Sequence, residues 1–135
     1  RGRHHQDHRG GHLNTELQHY RHLIESALAY SGNTHSFEDV VADVAAGTPH
    51  FWPAPNSCIV TKLIDLPQHS EVLVWLAAGD TAEMRAAIPH IEAWAKSEGC
   101  VKATLVGRKG WAKSFLRDIG WVVTDDIIME KEFNG

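Results

Sequence analysis

At 135 residues, with 43% hydrophobic and 22% charged positions, the chain has the composition of ordinary globular material and the length of one domain with a single core. A formal net charge of -4 leaves no electrostatic footprint for nucleic acid or an anionic membrane surface. No apolar run approaches the roughly 18 residues needed to span a bilayer.

Residues 1–12 are rich in Arg, Gly and His and hold no aliphatic side chain and no Phe, Trp or Tyr. They cannot build a core, and a flexible tail is expected. The alternative is a metal tract of His4, His5, Asp7, His8 and His12, since His8 and His12 have helical i, i+4 spacing; elsewhere no metal site is expected.

One domain is expected over 13–135. An amphipathic helix is expected over 13–30, its stripe formed by Leu17, Tyr20/Arg21, Ile24 and Ala27/Leu28. A second helix opens at Ser36, a good N-cap followed by acids, and buries Phe37, Val40, Val41 and Val44. Residues 48–56 carry Pro49, Pro53 and Pro55 and read as a connection holding only short extended pieces. Trp52 within it is a candidate interface anchor.

The runs 58–66 and 71–77, separated by Pro67-Gln68-His69-Ser70, read as an antiparallel hairpin. The turn Ala77-Ala78-Gly79-Asp80 follows, and then the longest helix, 81–98. Met84, Ala87/Ile88, Ile91 and Trp94/Ala95 share one face of it, and Pro89 is expected to kink it. A further strand over 101–106 closes a strand–helix–strand unit, which implies parallel strands. Gly107-Arg108-Lys109-Gly110 leads to a shorter helix over 111–118, and the apolar pattern of 121–133 reads as a final strand. The two cysteines, Cys58 and Cys100, fall in or beside apolar strands. Buried free thiols are expected there rather than a disulfide.

Read from the hairpin onward, this order resembles the Gcn5-related N-acetyltransferase superfamily (GNAT) over about 57–133, with Ala112, Gly120 and Trp121 at places matching its later signature. The resemblance implies an α/β (α+β) fold: a mixed sheet with N-terminal helices, an antiparallel hairpin, then strand, helix, strand, helix, strand. It also implies a gap between two splaying strands that holds acetyl-CoA, with the diphosphate at the next helix N-terminus. The opening Leu23-Ile24-Glu25-Ser26-Ala27-Leu28-Ala29-Tyr30-Ser31-Gly32, the connection Phe51-Trp52-Pro53, and Ile91-Glu92-Ala93-Trp94-Ala95-Lys96 followed by Gly107-Arg108-Lys109-Gly110-Trp111 also resemble, over most of 23–121, small GNAT-like proteins encoded by tailed bacteriophages and prophages. The setting this implies is the cytoplasm of a bacterial host or the virion, with protein partners that include phage structural proteins or further copies of the chain.

The departures bear on activity. Lys109 stands where the family has Asn, and Leu116 where it has the Tyr that often protonates the departing thiolate. An aliphatic side chain donates no proton. The diphosphate loop reads Leu76-Ala77-Ala78-Gly79-Asp80-Thr81-Ala82-Glu83, with one glycine where close backbone approach usually needs two. Asp80 and Glu83 have the spacing of a variant capping box; a carboxylate there takes the amides a phosphate would use.

Two function classes follow. The preferred one is a non-catalytic structural or interaction protein needing no cofactor. The alternative is a divergent acetyl-CoA-dependent N-acetyltransferase. It would use Gly79, Asp80, Thr81, Ala82, Arg108 and Lys109 around the cofactor, with direct amine attack and Glu71 or a water as base; His90 is a further acid–base candidate. A small anionic-ligand-binding domain using Arg108 is the third possibility.

Overall fold

The computed structural model describes residues 15–107, 111, 116–124 and 129–133. Residues 1–14, which include the expected tail and His tract, lie outside this set, as do Arg108, Lys109 and residues 112–115 of the expected helix 111–118.

Residues 15–19 are helical, Tyr20 forms a turn, and α1 then runs Arg21–Tyr30. The single helix expected over 13–30 is therefore broken at Tyr20. Its hydroxyl donates to the Ala54 carbonyl at 2.6 Å, and its ring meets Phe51 edge-on, so tertiary contacts decide the geometry there. The next helix, α2, is Phe37–Ala45. Ser36 Oγ accepts from Asp39 N–H at 3.1 Å, and Asp39 Oδ2 accepts from Ser36 N–H at 2.8 Å, a complete capping box.

Among the described residues four strands form one sheet in the order β1 (Pro49–Ala54), β2 (Ser57–Asp65), β3 (Ser70–Gly79) and β4 (Cys100–Leu105). The expected hairpin is β2–β3, and β3–β4 is parallel, joined by the long helix α3 (Thr81–Ser97). The proline-punctuated stretch is not a connection. It is β1, antiparallel to β2 from Pro49↔Lys62 to Ala54↔Ser57. An edge strand bonds on one side only, which is where proline is tolerated.

Side chains of both sheet faces are buried. One face carries Cys58, Val60, Leu76 and Ala78 against α1 and α2, with Leu17, Ile24, Leu28, Phe37 and Val40. The other carries Ile59, Val72 and Val74 against Met84, Ile88, Ile91 and Ala95 of α3, the face expected from its spacing. Trp52 is partly buried and packs against this second core. It packs edge-on against Trp94, and its Nε1–H donates to the fully buried Thr61 Oγ1 at 3.0 Å.

A bulge in β3 makes the two-sided packing possible. Val60 is opposite Leu76 while Thr61 is opposite Val74, so Trp75 is the extra residue. A bulge bends its strand and shifts the alternation of faces. Val72 and Val74 thus face α3, while Leu76 and Ala78 face α1 and α2.

The described part of 121–133 is not a strand. Trp121 Nε1–H donates to Glu92 Oε2 on α3 at 2.8 Å, and Trp121 N–H bonds the Leu116 carbonyl at 3.2 Å. These contacts hold the chain near α3. Among the described residues no helix is long and apolar enough to cross a membrane.

Candidate functional site

Two neighbouring features at the C-terminal end of β3 bear on function. The first is the start of α3. Asp80, in extended geometry at the N-cap, accepts the Glu83 N–H through Oδ1 at 3.0 Å. The expected reciprocal bond from Asp80 N–H to the Glu83 side chain does not form. Asp80 N–H instead donates to the Asn56 carbonyl at 3.1 Å. Glu83 reaches across to the β1–β2 turn, where its carboxylate accepts from Asn56 N–H at 2.8 Å, Asn56 Nδ2 at 3.2 Å and Ser57 Oγ at 2.8 Å.

Gly79 permits that closeness. Its φ is +114°, and a Cβ there would fall 2.3 Å from the Asn56 carbonyl oxygen and 2.5 Å from Ser57 Cα. The glycine that the loop retains is thus required by this packing. Two carboxylates and a close-packed turn occupy the helix start. Gly79 and Asp80 belong to this latch, Thr81 and Ala82 begin the helix behind it, and none of the four lines the cleft beside it.

The cleft is the second feature. Pairing of β3 with β4 ends at Val74↔Leu105, whereas β3 continues through 75–79. The strands part beside the bulge and leave a cavity of about 550 Å³. Its floor is β3 from Leu73 to Ala77. One wall is the end of α1 and the loop beyond, with Tyr30, Ser31 and Thr34, and the other is Leu105, Val106, Gly107, Trp111 and Glu130. A Cβ on Gly107 would meet the Trp111 ring at 2.9 Å, so glycine lets that indole close over the strand end. Arg108 and Lys109 follow directly but lie outside the described residues.

Trp75 links the cleft to its surroundings. Lys62 Nζ sits 3.8 Å from its ring centroid, and the His35 ring meets it edge-on at 4.9 Å. Trp75 and Trp111 were legible only as core tryptophans, and Tyr30 and Thr34 carried no signal. The four alternating apolar residues Val72, Val74, Leu76 and Ala78 look like one uninterrupted face, which conceals the bulge.

The candidate base Glu71 sits towards the other end of β3. Its Oε2 accepts from His69 Nε2–H at 2.7 Å and lies 3.6 Å from Lys102 Nζ. The His69 hydrogen bond, with the Lys102 charge behind it, holds its carboxyl below the usual range. His90 is exposed on α3. Both cysteines are buried free thiols; burial pushes Cys58 up to about 12 and raises Cys100 as well, so neither is an activated nucleophile. Among the described residues no cluster of three or more His, Cys, Asp or Glu side chains is placed to hold a metal.

No protein-family model matches the chain, and no curated protein matches it. Solved structures do. A point mutant of TTHA1254 from Thermus thermophilus superposes with a TM-score of 0.66 at 12% identity, covering 90% of this chain and 93% of that one. Wild-type TTHA1254 gives 0.58 at 14% identity, covering 74% and 82%. A possible acetyltransferase from Clostridium difficile 630 gives 0.55 at 14% identity, covering 90% and 93%. At such identities the likeness establishes architecture alone. The chain has a mixed α+β, GNAT-like fold.

Proposed function

We propose that this chain is a non-catalytic GNAT-like protein that binds a ligand or partner through the β3–β4 cleft and does not hold a cofactor diphosphate. The carrying observation is the latch: the Asp80 carboxylate takes the Glu83 amide, and Glu83 is fixed by three donors of the β1–β2 turn. A diphosphate at the helix start would have to displace a cap worth about 0.5–2 kcal/mol. It would also meet two carboxylates at short range. Leu116, buried where a proton donor would stand, supports the same reading. The resemblance to phage-encoded proteins supplies the setting, a virion or its assembly line, with phage structural proteins or further copies of this chain as partners.

Isothermal titration with acetyl-CoA tests this reading. No saturable binding is expected at micromolar concentrations, and micromolar affinity would overturn it.

A second reading, a divergent acetyl-CoA-dependent N-acetyltransferase, is favoured by the opening between β3 and β4 and by the fold shared with a protein described as a possible acetyltransferase. In this reading the acyl thioester would lie in the cleft and an amine would attack its carbonyl directly, giving its proton to Glu71 or a water while the C–S bond breaks and the CoA thiolate leaves to be protonated by solvent; Arg108 and Lys109 would supply the cations for the diphosphate. Mass spectrometry of amine-bearing host and virion components incubated with the protein and acetyl-CoA decides it. A mass increase of one acetyl group supports this reading, and its absence removes it.

A further inference from the structure

We infer that the β3–β4 cleft is a receptor for a small molecule bearing a quaternary ammonium group. Three aromatic side chains, Tyr30, Trp75 and Trp111, line one cavity, and among the described lining residues Glu130 alone carries a formal charge. Aromatic faces are negative at their centres and attract cations; a carboxylate beside them sets the sign of the ligand. Trp75 already shows the preference, because the chain's own Lys62 ammonium rests 3.8 Å from its ring centroid. Lys62 is not among the residues lining the cavity.

The polar content of the walls narrows the class. A primary ammonium brings three donors into a mostly aliphatic and aromatic space, where each must find one of few side-chain acceptors, the Tyr30, Ser31 and Thr34 hydroxyls and Glu130 among the described lining residues. Unmet donors in such a site are costly. A quaternary ammonium has no N–H to satisfy and spreads its charge over methyl groups that pack against rings. A carboxylate or phosphate would face Glu130. The cavity, at about 550 Å³, is within the usual range for small-molecule sites, about 300–1,000 Å³. It has room for a head group and a short tail along Leu76 and Leu105. This inference deepens the non-catalytic reading and rests on it, because a quaternary nitrogen has no lone pair with which to accept an acyl group.

The test is calorimetric titration of the full chain with tetramethylammonium, choline and the neutral analogue of choline in which a tert-butyl group replaces trimethylammonium. Choline is expected to bind saturably, with the neutral analogue about tenfold weaker. Glu130→Gln should weaken choline several-fold, and Lys62→Met should tighten it by removing a like charge from beside Trp75. Circular dichroism of both variants confirms that they are folded. The inference is overturned if the folded protein gives no saturable choline signal, if the neutral analogue binds equally well, or if the two variants shift affinity in the opposite directions, as an anionic ligand would require. Acetyl-CoA is titrated separately, so that cofactor binding would remove the non-catalytic reading while the choline series is scored on its own.

Discussion

The two edges of β3 near its C-terminal end have opposite fates. On the β2 side, Gly79 is pressed against Asn56 and Ser57, and Glu83 fastens the turn to the helix. On the β4 side, pairing stops at Val74 and the strand borders an open cavity. The latched edge is closely packed and hydrogen-bonded, and the open edge is where the proposed ligand would enter.

Substitutions can break or sharpen that contrast. The largest effect is expected for Gly79→Ala, which adds left-handed strain to a backbone clash with Asn56. It should cost about 3 kcal/mol or more in urea unfolding. Glu83→Ala strips three donors of their acceptor, one of them on the 2% exposed Ser57. About 2 kcal/mol is expected, and a double-mutant cycle with Asn56→Ala should show coupling of roughly 1 kcal/mol.

A smaller effect is expected in acid. Glu71, held low by His69, and Asp39, held low by the Ser36 amide, both have folded pKa values below their ordinary 4.5 and 3.8. Their stabilising contribution is complete above those ordinary values and is lost as pH falls through the lower, folded ones. Unfolding midpoints measured from pH 6 down to pH 2 should therefore decline less steeply below about pH 4.5 in Glu71→Gln and Asp39→Asn than in the parent. The smallest effect belongs to the open edge. Val106 is 76% exposed at the cleft mouth, and Val106→Ser should change stability by no more than about 0.5 kcal/mol.

Much of the frame was legible in the residues. The helix face of Met84, Ile88, Ile91 and Ala95, the Ser36 cap, the β2–β3 hairpin and the parallel β3–β4 pair follow from periodicity, capping chemistry and connection length. Residues 49–54 were not legible, because proline signals a break unless the strand is known to lie at an edge, and position in a sheet is a tertiary fact. The described residues 121–124 and 129–133 misled in the other direction. Their apolar pattern names no partner, and the Trp121 contacts with Glu92 and Leu116 decide where that chain goes.

The candidate site divides in the same way. Asp80 as a cap was readable from local spacing, since the bond it makes is three residues long. The destination of Glu83 was not, because Asn56 lies 27 residues away. The cleft depends on where β4 leaves β3 and on the extra residue at Trp75, neither of which changes the hydrophobic pattern.

The Trp75 bulge also governs how the molecule should come apart. One half of β3 feeds the layer under α3 and the other half feeds the layer under α1 and α2. Loss of either layer exposes apolar side chains of the strand they share, which couples the two, so heating should produce a single cooperative transition with coincident fluorescence and far-ultraviolet signals.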